Sequence, residues 1–212
     1  MKKIIGRILI IAGLLCIIAA VSLVMHNIKE NKEAGEASEK ALQSVVAQIP
    51  SKVLEDRGDE PAVDVEGRTF IGIVRIPSLG LILPVQSEWS KENARVSVCR
   101  YKGSVSTNDL IIAGHNYKEH FGTLKNLSTG DEVIFTDMNG RDYYYLVTNL
   151  ETLGSTALEE MESGDWDLTL FTCTVGGAAR VTVRCEATGE VTESGEVPDI
   201  VKAVTESRHI RQ

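Results

Sequence analysis

The chain has little of what several common functions require. It holds four cysteines and five prolines in 212 residues, and aromatic residues make up 5%. No two cysteines form a C-x-x-C pair, so zinc-ribbon and thioredoxin-like redox readings have no support. His115 and His120 stand five apart and no Glu follows His115, which excludes the helical HExxH zinc motif. Basic residues are in deficit: Lys and Arg total 22 against 30 Asp and Glu, a formal charge of −8. Without a basic face to replace phosphate counterions, and without aromatic platforms for bases, nucleic acid is excluded as a partner. Hydrophobic residues at 43% and charged residues at 25% exclude a disordered chain.

Long apolar runs are also scarce, with one exception. Residues 8–25, ILIIAGLLCIIAAVSLVM, carry no charge and follow Lys2, Lys3 and Arg7. Some 20 apolar residues cross a bilayer core as a helix, and basic residues stay on the cytoplasmic side. Residues 1–26 are therefore expected to be an uncleaved signal-anchor, with the N-terminus cytoplasmic and the rest of the chain outside the cell membrane. A cleaved signal peptide is the alternative. Ala19-Ala20-Val21-Ser22 offers small residues, but no A-x-A site follows the run. Residues 27–67 read as a stalk or linker, part helical over residues 30–48, with Leu42, Val45, Val46 and Ile49 as a short apolar stripe and Pro50 as its stop.

From Arg68 the pattern turns to β. Residues 69–76, 81–85, 110–113, 132–136, 143–147, 168–172 and 179–186 read as strands, and Asn139-Gly140 marks a hairpin between the fourth and fifth. Short helices are expected over residues 117–127 and 155–161. Such spacing suggests a mainly β fold, a closed barrel of seven to eight strands over residues 68–188, followed by a polar tail at 189–212.

Three side chains fall at the ends of these strands. Cys173 ends the run Leu168 to Thr172, Arg180 opens the next strand, and His115 follows Leu110 to Gly114. Antiparallel pairing of consecutive strands puts Cys173 near Arg180. A thiolate is a nucleophile, an imidazole can protonate a leaving amine and deprotonate an incoming one, and a guanidinium can hold an oxyanion. Cys99 and Cys185 are open between a disulfide and two buried thiols.

At these residues the chain resembles the sortases of Gram-positive bacteria. Their T-L-x-T-C signature stands here as Thr169-Leu170-Phe171-Thr172-Cys173, the A-G-H context as Ala113-Gly114-His115-Asn116, and the arginine of the following strand as Arg180. The resemblance spans residues 67–188. It implies a transpeptidase that cleaves an LPXTG-like sorting signal, holds the peptide as a thioester and passes it to an amine of the cell wall. Cys173 is then the nucleophile, His115 the general acid and base, and Arg180 the stabiliser, with Arg184 as its rival. Thr172, Asn116 and Thr169 are expected to support the oxyanion or substrate. The pilin-polymerising class is disfavoured, because Asp59-Glu60-Pro61-Ala62 lacks the Asp-Pro-aromatic lid form and the tail has no second membrane run. Some sortases bind calcium, but Glu88, Glu92, Glu119, Asp131 and Glu132 read as a solvated acidic surface, so no cofactor or metal is expected. The alternatives are a membrane-anchored cysteine endopeptidase with water as acceptor, a pilin-assembling sortase, and a non-catalytic binding domain.

Overall fold

In the computed structural model, residues 2–54, 60–163, 165–192 and 200 are described. Asp59 and most of the polar tail lie outside them. The chain divides into two units, one up to Glu33 and one from Ala34 onward. The first unit is helical throughout and belongs to helix α1 (Lys2–Val46). An 18-residue window of α1 has mean hydropathy 3.0 and is wholly exposed, so the helix is long and apolar enough to cross a membrane.

The second unit is built on one sheet. Among the described residues its strands are β1 (Val63–Val65), β2 (Arg68–Ile76), β3 (Leu81–Gln86), β4 (Val98–Lys102), β5 (Leu110–Gly114), β6 (Glu132–Asp137), β7 (Asp142–Gly154), β8 (Leu168–Cys173) and β9 (Ala179–Val191). Their order is β1-β2-β3-β4-β5-β8-β9-β7-β6, and β6 also pairs with β2. Eight strands thus close on themselves in a ring, with β1 hung on the outside of β2. The mainly β expectation holds, and the hairpin at Asn139-Gly140 joins β6 to β7 with Thr136 opposite Asp142.

Alternation along the strands sorts residues into two faces. Inward-facing Val74, Leu83, Ile112, Leu170 and Val183 fill the ring together with Phe121 and Leu124. Those two come from a 3₁₀ segment, Phe121–Asn126, that plugs the interior where a helix over residues 117–127 is expected. The ring closes at Gly72, opposite Asp137. A Cβ there would lie 2.2 Å from the Thr136 carbonyl oxygen and 2.7 Å from the Phe135 ring. Only glycine lets β2 and β6 approach this closely.

Two smaller apolar clusters lie outside the ring. One joins Val45 and Ile49, at the end of α1, to Phe70, Ile73, Met138 and Ile200. The stretch from Ala34 is thus packed on the sheet as well as helical. Ala34 and Ser38 are buried, and the Ser38 and Ser97 hydroxyls are 3.3 Å apart. Beneath this turn lies His120, fully buried. Desolvation lowers its pKa from 6.5 to about 4.

Two predictions follow from this packing. Gly72→Ala should force β2 and β6 apart and destabilise the domain by about 1–3 kcal/mol, read as a lower denaturant midpoint. His120 is neutral when folded at a pH where the unfolded chain protonates it. Stability therefore falls as pH drops from 6.5 towards 4, by about 3 kcal/mol at most. His120→Phe lacks this titration, so its thermal midpoint should fall less steeply than the wild type's over that range.

Candidate active site

The site is assembled by the register of three neighbouring strands. β8 and β9 pair antiparallel and bring Cys173 directly opposite Arg180, as the spacing predicts. The connecting turn is fixed by the Thr174 N–H donating to the Ala179 carbonyl at 2.8 Å, and by the Ala179 N–H donating back to the Thr174 hydroxyl at 3.1 Å. On its other side β8 pairs parallel with β5, with Thr172 opposite Gly114. His115 and Cys173 are each the next residue beyond that pair. Adjacent strands lie about 4.8 Å apart, so an imidazole, a thiol and a guanidinium rise from three consecutive strands at one end of the ring.

Gly114 permits this approach. A Cβ at that position would sit 2.8 Å from both the Phe121 ring and a Val98 methyl. The His115 loop then turns back tightly: Phe121 N–H donates to the His115 carbonyl at 3.2 Å, and Gly122 N–H to that of Tyr117 at 2.9 Å. The Tyr117 ring lies 5.1 Å from that of His115 and 5.5 Å, edge-on, from that of His120.

The other expected residues separate by place. Thr172 faces inward, buried, with its hydroxyl unpartnered. Asn116 is exposed beside His115. Thr169 is buried four residues back along β8, and its hydroxyl accepts from Arg184 Nη1 at 3.0 Å. It does not reach the end of the strand that carries the thiol.

Arg180 and Arg184 differ sharply. Arg180 is half-buried at the turn and donates from Nη1 to the Ser155 carbonyl, which ties it to the loop after β7. Arg184 is 1% exposed. It pairs with Glu151 at 2.8 Å, donates to the Met161 carbonyl at 3.0 Å, and reaches the Glu160 carbonyl. With every branch engaged, it serves as a clamp for the short helix α3 (Leu158–Met161).

All four cysteines are free. Cys173 is exposed, whereas Cys99 and Cys185 are completely buried. Burial pushes the Cys99 thiol up to about 12 and raises that of Cys185. Behind Cys173, Phe171 packs edge-on against Tyr101 at 5.3 Å. Tyr101 also lines a cleft of about 460 Å³ with Trp89, Arg100 and Lys102. The two cations are paired, Arg100 with Glu60 and Lys102 with Glu162, and the rings supply the cleft's apolar surface. Among the described residues no three His, Cys, Asp or Glu side chains converge as metal donors. His120 and the paired state of Arg184 are not legible in the sequence, where one is a loop histidine and the other a strand arginine.

Comparisons with known proteins place the chain as a whole. A family model described as "Sortase domain" matches residues 74–188. The Bacillus subtilis protein YwpE, a candidate sortase, is 31% identical over 87 residues, which cover 39% of this chain and 82% of YwpE. Sortase A of Listeria monocytogenes superposes with a TM-score of 0.54 at 18% identity, over 63% of this chain and 95% of its own. Sortase C1 of Streptococcus agalactiae gives 0.53 at 24%, over 60% and 72%. A Clostridium perfringens sortase D5 transpeptidase gives 0.50 at 18%, over 76% and 95%. These three solved structures share the fold, and the domain match, which spans more than half of the sequence, carries the assignment: the chain belongs to the sortase family.

Proposed function

We propose that this protein is a membrane-anchored cysteine transpeptidase acting on LPXTG-like sorting signals. The observation that carries the reading is the pairing of Cys173 with Arg180, one strand from the Gly114–Thr172 pair that precedes His115. The Cys173 thiolate attacks the carbonyl of the Thr-Gly bond. Arg180, held by the Ser155 carbonyl, hydrogen-bonds to the developing oxyanion or the peptide backbone. His115 protonates the departing glycine amine, and the acyl group remains on Cys173 as a thioester. An amine of the cell wall then loses a proton to His115, attacks the thioester and forms a new amide, and the sulfur leaves as the Cys173 thiolate. The sequence favours a wall-anchoring over a pilin-assembling role. The three solved relatives named above span sortases A, C and D, so the fold does not distinguish the classes. The reading assigns no step to a metal. It places the N-terminus in the cytoplasm and the catalytic unit outside, with α1 as the anchor.

The test uses the full chain in detergent micelles with LPXTG-like peptides and an amine acceptor, followed by mass spectrometry. An acyl adduct on Cys173 that passes to the amine is expected. Cys173→Ala should abolish both adduct and product. His115→Ala should lower kcat by about 10²–10⁴-fold, and Arg180→Ala by about 10²–10³-fold. EDTA should leave the rate unchanged. An adduct that passes only to water would indicate an endopeptidase, and undiminished turnover in Cys173→Ala would overturn the reading. In the same preparation iodoacetamide should label Cys173 under native conditions, with Cys99 and Cys185 protected until denaturant is added.

A further inference from the structure

The reaction proposed above leaves His120 without a chemical task, although its setting is unusual. The ring is fully buried and neither nitrogen has a hydrogen-bond partner. Leaving buried polar atoms unpaired costs free energy that a phenylalanine of similar size would not, so space-filling alone does not account for a histidine here. Its surroundings come from three elements. The backbone of Ala34, on α1, and of Val96, at the end of helix α2 (Lys91–Val96), faces the ring without completing a hydrogen bond. The third neighbour is the ring of Tyr117, which lies against that of His115.

The backbone makes this contact a mechanical one. The His120 N–H donates to the Tyr117 carbonyl at 3.0 Å, and the next N–H, of Phe121, donates to His115 itself at 3.2 Å. Any shift of His120 therefore moves both ends of the loop that presents the His115 imidazole. The helix side is equally tight. A Cβ on Gly35 would stand 2.9 Å from Glu119 Cγ, and Ala34 and Ser38 are buried on either side.

We propose that His120 is a positioning residue, which keys the Ala34–Ser38 turn of α1 to the loop carrying His115, so that docking of this turn orients the imidazole for Cys173. The inference rests on the reading of His115 and Cys173 given above. Besides burial, the groups that act on the His120 ring are His115 and the backbone of Ala34 on α1 and Val96 on α2.

The test uses the full chain in detergent micelles and two readouts. The rate of Cys173 alkylation by iodoacetamide against pH reports on the thiol–imidazole pair without any peptide. The kcat and KM for an LPXTG-like peptide and an amine report on turnover. His120→Phe removes both nitrogens. Ala34→Leu disturbs the same contact from the helix, outside the reacting groups. Both should shift the alkylation profile towards that of His115→Ala. Both should lower kcat about tenfold or more with KM within about twofold, as expected when a reacting group is misplaced by a fraction of an ångström. His120→Gln, neutral and polar against the backbone of Ala34 and Val96, should stay within about threefold of the wild type. Wild-type profiles and kcat per folded molecule in His120→Phe and Ala34→Leu, with only a lower melting temperature, would overturn the proposal and leave His120 a packing residue. If His120→Phe fails to fold, Ala34→Leu decides by the same readouts. A wild-type alkylation profile in His115→Ala would instead overturn the underlying reading, and the two failures are thereby separated.

Discussion

The site depends on the mixed pairing of β8. One neighbour, β5, runs parallel to it and the other, β9, runs antiparallel. Parallel pairing brings the C-terminal ends of two strands together, and antiparallel pairing adds the start of a third. Any other arrangement would place His115 or Arg180 at the opposite end of β8, some six residues and about 20 Å from the thiol. A one-residue slip would turn Cys173 towards the ring interior. That slip is resisted by the inward packing of Leu168 and Leu170. The three side chains at the rim are thus held in register by the hydrophobic core beneath them.

The two arginines of β9 show how one strand face serves structure and site together. They stand four residues apart and so point the same way. Arg184 lies opposite Thr169, mid-strand, where α3 covers it. A guanidinium out of water is tolerable only with its donors satisfied, and Glu151, Thr169 and two carbonyls meet that need. Arg180 lies at the strand's beginning, where cover ends, and keeps part of its surface open. Position along the strand, not residue type, decides which is clamped on every side and which is left partly open.

Much of this was legible in the sequence, and the exceptions share a cause. The Thr169-to-Cys173 pentapeptide, the position of Arg180 and the Asn139-Gly140 hairpin are local patterns, and local patterns survive in sequence. β4 was not legible because its residues, Val-Cys-Arg-Tyr-Lys, alternate poorly around an irregularity between Arg100 and Lys102. α2 is six residues long, too short for a helical period, and is marked only by the Ser90 hydroxyl capping Asn93 N–H at 3.0 Å. β7 and β9 run far beyond their apolar portions because they pair with each other through two register shifts. The segment after the apolar run reads as a solvated stalk because its sequence is polar. Its contacts, Ala34 with His120 and Val45 with Phe70 and Ile73, join residues distant in the chain. No pattern within a short window records the parallel partner of β8 or the burial of His120.

The fold also separates its thiols without cross-linking them. Three cysteines lie outside the apolar run, and accessible thiols together would invite disulfide exchange. Cys99 and Cys185 avoid this by burial. A shift of the Cys99 thiol from 9.0 to about 12 corresponds to about 4 kcal/mol against its thiolate. At neutral pH that thiol stays protonated. Neither attack nor oxidation proceeds readily from a protonated thiol sealed from solvent, so the two interior sulfurs behave as small apolar side chains. Cys173 escapes the same fate because it is the last residue of its strand, one position past the inward-facing Thr172, where alternation turns it outward and the ring no longer covers it. The same strand end that brings it to Arg180 therefore also makes it the exposed thiol of the second unit.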